Sequence, residues 1–383
     1  MNSFIYLDHA ATTPVLPEVL TAMTPYLTES YGNPSALHQA GQAARSAVEY
    51  ARLSVARTLN ADPSEIVFTS GGTESDNAAI FGAALAHPDK RHLITSPVEH
   101  HAVSEPLHTL EKQGYEIEIV PVDRYGRVDA DYVGSRLRPD TLLVSIMYAN
   151  NEVGTIQPVS EIGALCRAAG VLFHTDAVQA FGKLPINVVA QNIDMLSISA
   201  HKFYGPKGIG VLYVRQGVTI HRYQQGGEQE RGRRAGTLNV PGIVGLGKAA
   251  TLVCNEMPVE TERLGKLSSY LIERVQNDCA DVYLMGSTTH RVPGNVHFCV
   301  RGVEGESLLL ALDAKSICAS AGAACSAGSV EPSHVLSAMG VDRELARGAL
   351  RISLGRATDQ AAIEKAAAVL TQSIRDLRAL SMA

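Results

Sequence analysis

The stretch Ser197-Ile198-Ser199-Ala200-His201-Lys202-Phe203-Tyr204-Gly205 decides how this chain is read. An apolar, strand-like run (Ile193, Met195, Leu196, Ile198) ends in serine, histidine and lysine, and Gly205-Pro206-Lys207-Gly208 turns the chain away. Lysine strongly prefers water, so one set between a buried strand and two aromatics needs a chemical reason. Desolvation disfavours the ammonium and lowers the lysine pKa, which is how a lysine becomes a Schiff-base nucleophile. The competing structural reading is a lysine that snorkels from a strand end to the surface. The rest of the chain has to choose between the two.

Working outward, short apolar runs alternate with longer helical patterns. Strands are expected at Ile66-Val67-Phe68, His92-Leu93-Ile94-Thr95, Ile117-Glu118-Ile119-Val120, Leu142-Leu143-Val144-Ser145-Ile146, Val171-Leu172-Phe173-His174, Met195-Leu196-Ser197-Ile198 and Gly210-Val211-Leu212-Tyr213-Val214. Nearly continuous Val/Ile/Leu runs between amphipathic helices predict an α/β fold with a mostly parallel sheet covered on both faces. The character changes near Met257-Pro258. Beyond it lie a helix with Leu264, Leu267, Leu271 and Val275 at helical spacing, strands at Asn295–Phe298 and Leu350–Leu354, and a last helix from about Gln360 to Leu380. This reads as a large domain over 15–256 and a smaller α+β domain made of 1–14 and 257–383.

The 383 residues are 45% hydrophobic and 19% charged, which suits a globular enzyme with a large core. A formal net charge of -6 argues against a direct nucleic-acid binder or a membrane-surface binder, both of which use a basic face. Phe4-Ile5-Tyr6-Leu7 is too short for a membrane span and lacks a basic leader, so cytoplasm is expected. The six cysteines (Cys166, Cys254, Cys279, Cys299, Cys318, Cys325) show neither C-x-x-C nor Cys/His ligand spacing, which speaks against structural zinc or a disulfide framework.

In a parallel α/β sheet, ligands bind at the carboxyl ends of strands. After Phe68 comes Thr69-Ser70-Gly71-Gly72-Thr73-Glu74-Ser75, opening a helix expected over Asn77–Leu85. Two glycines and a hydroxyl at a helix start can form an anion cup, or simply an N-cap. After Thr95 comes Glu99-His100-His101-Ala102, and after Ile146 comes Tyr148-Ala149-Asn150-Asn151-Glu152-Val153-Gly154. After Phe173 comes His174-Thr175-Asp176-Ala177-Val178-Gln179. Asp176 closes a buried strand, where an unpaired carboxylate is costly. A pyridinium N–H would suit it, a helix N-cap being the plainer role. An imine lysine, a carboxylate for a ring nitrogen, an aromatic ring to stack and a phosphate cup together describe a pyridoxal 5'-phosphate site.

With these motifs in order, the chain resembles the cysteine desulfurases of the NifS/IscS type, in the class-V aminotransferase group of fold-type-I pyridoxal-phosphate enzymes. The markers run along the whole chain: Tyr6-Leu7-Asp8-His9-Ala10-Ala11-Thr12-Thr13, Gly32-Asn33-Pro34-Ser35, Thr69 to Asn77, Asn150-Asn151-Glu152, Asp176 to Gln179, Ser199-Ala200-His201-Lys202, Gly236-Thr237, Cys325, Glu331 to Leu336 and Arg351 to Gly355. The resemblance implies that Lys202 forms the imine with the cofactor and that Asp176 pairs with the ring nitrogen. Gln179 would bond the ring hydroxyl, and His100 would stack on the ring, with His101 as its rival. Gly72, Thr73, Ser199 and His201 would hold the phosphate, joined by Thr237 from the other subunit of a homodimer. Asn33, Asn151 and Arg351 would bind the substrate, a guanidinium being the natural anchor for an amino-acid carboxylate.

Cys325 sits in Ser320-Ala321-Gly322-Ala323-Ala324-Cys325-Ser326-Ala327-Gly328-Ser329, a run of small residues that is expected to form a loop presenting its thiol. The resemblance implies that Cys325 attacks the sulfur of L-cysteine, becomes a persulfide and leaves L-alanine as product. The persulfide would pass to a sulfur-acceptor protein such as an iron–sulfur scaffold. No resident metal is required, although Cys325 could share a cluster transiently with such a scaffold. A selenocysteine lyase, or a class-V aminotransferase or kynureninase-like enzyme, is the alternative. The chain stops soon after its last helix, at Ser381-Met382-Ala383, where housekeeping relatives commonly run longer. The acceptor therefore stays open among iron–sulfur assembly, nitrogenase maturation, and tRNA or DNA thiolation.

Overall fold

The computed structural model describes residues 4–321 and 333–381. Its strands are β1 (Ile5–Tyr6), β2 (Ile66–Thr69), β3 (His92–Thr95), β4 (Glu116–Ile119), β5 (Thr141–Ser145), β6 (Leu172–Asp176), β7 (Met195–Ser199) and β8 (Gly210–Val214). There follow β9 (Glu228–Gln229), β10 (Arg234–Ala235), β11 (Val282–Leu284), β12 (Asn295–Val300), β13 (Ile317–Cys318) and β14 (Ala349–Ser353). The main sheet has the order β2-β8-β7-β6-β5-β3-β4. Only β8 opposes the rest, pairing antiparallel with both β2 and β7. The carboxyl ends of β2, β3, β5, β6 and β7 consequently share one edge.

The apolar runs predicted as strands form this sheet, and all but the partly exposed edge strand β4 supply enough apolar side chains to fill both faces. On one face the helices Gly72–Ala86 and His101–Lys112 pack Ala79, Ile80, Ala83, Val103 and Leu107 against Val67, Leu93, Leu143 and Met195. On the other, the helix Gln39–Leu59 and the first part of Val240–Asp278 cover Phe68, Val144, Phe173 and Ile198. The first of these helices ends at Asn60 in the left-handed region, as a C-cap requires.

One expectation is corrected. The helix after β2 begins at Gly72 rather than Asn77, since Gly71 and Gly72 allow the turn immediately after the strand. The helix Val240–Asp278 runs without a break for 39 residues through Met257-Pro258, and its buried residues pass there from one apolar cluster to the other. Proline removes one backbone donor there. Burial of Ala249, Ala250 and Val253 before it, and of Leu264, Leu267 and Leu271 after it, keeps the helix continuous.

A second apolar cluster joins the later part of that helix to β12, β14 and the helix Gln360–Ser381, and it includes Leu7. The order β11-β12-β14 is antiparallel. The N-terminal segment is stitched to it: β1 lies parallel to β13 with Ile5 opposite Ile317, and Asp8 bridges Ser353. A Cβ at Gly355 would fall 2.1 Å from the His9 ring, so this close approach depends on glycine.

Candidate active site

The site lies beyond the shared edge of the main sheet. A cleft there is lined by Gly72, Thr73, His100, Asn151, Asp176, Gln179, Ser199, His201, Lys202 and Arg351, together with Ala10, Asp76, His101, Glu152 and His334. All of these predicted residues are brought together. Asn33 and Thr237 are not among the lining residues: both are exposed, and Asn33 Oδ1 accepts a bond from its neighbour Ser35 N at 3.0 Å. Cys325 lies outside the described residues.

Each element delivers its group for a local reason. Strand β7 ends at Ser199, and a single 3-10 turn over Ala200–Lys202 swings the lysine out of the sheet. Lys202 Nζ donates to the carbonyls of Ala10 at 2.8 Å and Ala11 at 2.7 Å, so the N-terminal segment forms one wall. Strand β6 ends at Asp176, whose Oδ1 accepts from Val178 N at 2.9 Å. That carboxyl is pushed up to about 7, first by burial and then by the neighbouring Asp76, with His100 acting the other way. Gln179, one turn on, donates from Nε2 to Ala10 O at 2.9 Å, and its Oε1 accepts from Lys183 Nζ at 3.1 Å.

His100 is the N-cap of the helix His101–Lys112, its Nδ1 accepting from Ala102 N at 3.1 Å. Burial holds its imidazole below the usual range. His101 is exposed and its ring lies 5.2 Å from that of His334, whereas His100 is more enclosed. His201 is pushed down to about 4 by burial, with Lys202 and Lys207 adding to the shift. It is therefore neutral, with Nδ1 3.1 Å from Thr12 Oγ1.

Two further buried acids escaped sequence reasoning. Asp76 is raised to about 7 and Glu99 to about 8, in both cases by burial. Asp76 Oδ1 lies 3.5 Å from Nε2 of His174, and Glu99 takes Ser96 Oγ at 2.5 Å and both contacts of Met147 N at 3.0 Å. Asp76 follows the Gly71-Gly72 motif and Glu99 immediately precedes the His100-His101 pair, so proximity in sequence was the available signal.

The residues fit pyridoxal phosphate. At the start of the 15-residue helix Gly72–Ala86, a Cβ on Gly72 would come 2.7 Å from Val178 Cγ2, so the cradle there exists only because residue 72 has no side chain. First-turn N–H groups and the helix dipole suit a phosphate, and Thr73, Ser199 and His201 stand around the same opening. The fully buried Asp176 offers an acceptor for a ring N–H, and Lys202 stands across the same cleft.

The class-V aminotransferase family model matches residues 5–366. A cysteine desulfurase IscS of Dictyoglomus turgidum is 51% identical over 382 residues, covering 100% of this chain and 97% of the relative. Among solved structures, a NifS-like protein superposes with a TM-score of 0.91 at 38% identity, covering 97% of this chain and 99% of the other. One described as SspA in complex with cysteine gives 0.82 at 39% identity, covering 91% and 98%. This chain belongs to the class-V aminotransferase family and, within it, to the cysteine desulfurases of the NifS/IscS type.

Proposed function

We propose that this protein is a pyridoxal-phosphate-dependent cysteine desulfurase that converts L-cysteine to L-alanine and carries the sulfur on Cys325. The observation that carries this reading is the single cleft holding Lys202, Asp176, His100 and Arg351 at the carboxyl ends of β6 and β7 and the edge of β14. The name shared by the curated relatives favours it over a selenocysteine lyase or an aminotransferase. The cofactor, when bound, supplies an electron sink beside the substrate Cα.

The chain's own residues do the rest. Arg351 receives the substrate carboxylate, with Asn151 and Asn33 helping to orient it. Lys202 Nζ takes the Cα proton and returns one, and Asp176 holds the proton at the ring nitrogen. Gln179 would bond the ring hydroxyl, and His100 would cover the ring. Gly72, Thr73, Ser199 and His201 hold the phosphate. The Cys325 thiolate attacks the substrate sulfur: an S–S bond forms, the Cβ–S bond breaks, and its electron pair is protonated to give alanine.

We assign 15–256 to a cofactor domain, and 1–14 with 257–383 to a smaller one carrying Cys325. Two chains form a homodimer in which Thr237 of each completes the other's phosphate cup. The exposed Leu27, Tyr31 and Leu37 support a covered face. The persulfide passes to an acceptor protein, an iron–sulfur scaffold being the reading closest to the relatives' name. Among the described residues no helix is long and apolar enough to cross a membrane, which agrees with a cytoplasmic place.

The test is incubation with L-cysteine and a reductant, following sulfide and alanine in equal amounts. Cys325→Ser should keep the cofactor absorbance yet form no persulfide. Sulfide release at the wild-type rate would overturn the role of Cys325 and turn attention to Cys318.

A further inference from the structure

Arg351 is among the largest fully buried side chains of the protein, 2% exposed. Taking a guanidinium out of water is tolerated only where anions or carbonyls replace its hydration. Among the described residues, two segments remote in sequence contribute to this. Nη1 donates to the carbonyl of Asn151 at 3.0 Å, and Nη2 donates to Oδ1 of Asp8 at 2.9 Å. With both terminal nitrogens engaged, the plane of the fork is fixed before any substrate arrives.

The position of Asp8 is itself held. Ser353 N donates to Leu7 O at 2.8 Å, His9 N to Ser353 O at 3.2 Å, and Ala10 N to Ser353 Oγ at 2.8 Å. Residue 8 is thereby clamped to β14 two residues beyond Arg351, and Tyr6 Oη also donates to the Asp8 carbonyl at 3.1 Å. Arg351 lines the cleft, whereas Asp8 stands outside the lining.

We propose that Asp8 is the positioning residue that aims the guanidinium of Arg351 at the α-carboxylate of the amino-acid substrate. The inference rests on the reading of Arg351 as the carboxylate anchor. It extends that reading by assigning the direction of the fork to a residue that does not touch substrate. Two physical roles are separable. If Asp8 acts by holding the fork, an amide oxygen in its place accepts the same bond. If it acts by its negative charge, the amide is no substitute.

The experiment uses the cofactor-loaded enzyme and measures the dissociation constants of L-alanine and L-alaninamide from the change in cofactor absorbance on titration. The two ligands differ only in the carboxylate, so their ratio reports the anchor, while any general loss of fold or cofactor cancels. Melting temperature is followed alongside. Taken as the constant of L-alaninamide over that of L-alanine, the ratio should fall by about tenfold in Asp8→Ala, stay within about threefold in Asp8→Asn, and lose all preference for the carboxylate in Arg351→Ala. A ratio unchanged in Asp8→Ala but lost in Arg351→Ala overturns the inference and leaves the anchor standing. Equal losses in Asp8→Ala and Asp8→Asn also overturn it, by showing a charge effect. A ratio untouched by Arg351→Ala overturns the anchor itself.

Discussion

At the sheet end of the cleft Asp76 and Asp176 line the wall, and with the nearby Glu99 they are carboxyls whose burial raises their pKa values to between about 7 and about 8. At the opposite end, Arg351 is as deeply buried and pairs with Asp8 at 2.9 Å. Burial disfavours the ionised form in both places; the difference lies in what is at hand. A carboxyl can take up a proton, whereas an arginine cannot lose one and must be given a counter-ion. Groups poised near neutrality suit proton holding and ring electronics, and a pinned ion pair suits recognition of a fixed shape.

The comparison can be broken most sharply at Lys202. Lys202→Ala should lower kcat by at least about 10²–10⁴-fold and remove the visible absorbance that marks attached cofactor. Retained turnover in steady-state assays would mean that the sheet end does not do the chemistry. Arg351→Ala should instead leave that absorbance in place while kcat/KM for L-cysteine falls by the equivalent of about 2–5 kcal/mol, mostly through KM. Equal losses in kcat alone would merge the two ends into one function.

Gly72→Val tests the cradle. A side chain there would press on Val178, at a cost of about 1–3 kcal/mol in a packed site. Dialysis should strip cofactor from this variant faster than from wild type, with the Arg351-dependent discrimination unchanged. The pH response comes next. Glu99 binds its proton more tightly in the fold than in the unfolded chain, since its value is raised from 4.5 to about 8. Stability that is present at low pH is therefore lost as pH rises through that window. Cofactor-free protein should melt lower at pH 8 than at pH 6, and Glu99→Gln should flatten the slope. The smallest effect is expected at Thr237→Ala, one neutral hydrogen bond or about 0.5–1.5 kcal/mol in cofactor affinity. Mixing it with Lys202→Ala protein should restore activity if the two lesions fall in one of two shared sites.

Much of the sheet end was legible in the chain. Unbroken apolar runs fix strands buried on both faces, and a polar residue at the carboxyl end of such a run has few places to go but the cleft. Lys202, Asp176 and the Gly71-Gly72 turn were readable for that reason. The Arg351 end was readable only in part. Arg351 stood out as a charge inside a strand, but its partner is 343 residues away and is brought to it by pairing between β14 and the N-terminal segment. No local pattern encodes that meeting. Asp76 and Glu99 were missed because a carboxylate near a helix start reads as solvated, and only tertiary packing removes the water. The run through Pro258 was hidden for the same kind of reason: a local rule against proline is outweighed by burial along both halves of the helix.

The stitching of the first residues to β13 and β14 has a consequence for synthesis. Ile5 through Ala10 leave the ribosome early, yet Ile317, Cys318 and Ser353, which pair with them, are made near the end. At about 5–20 residues per second the segment waits on the order of 20–70 s for its partners. Throughout that interval Arg351 has not yet been translated. The nascent chain can assemble the main sheet while the proposed anchor Arg351 does not exist, so competence to bind an amino acid should appear only after Arg351 and Ser353 have been made.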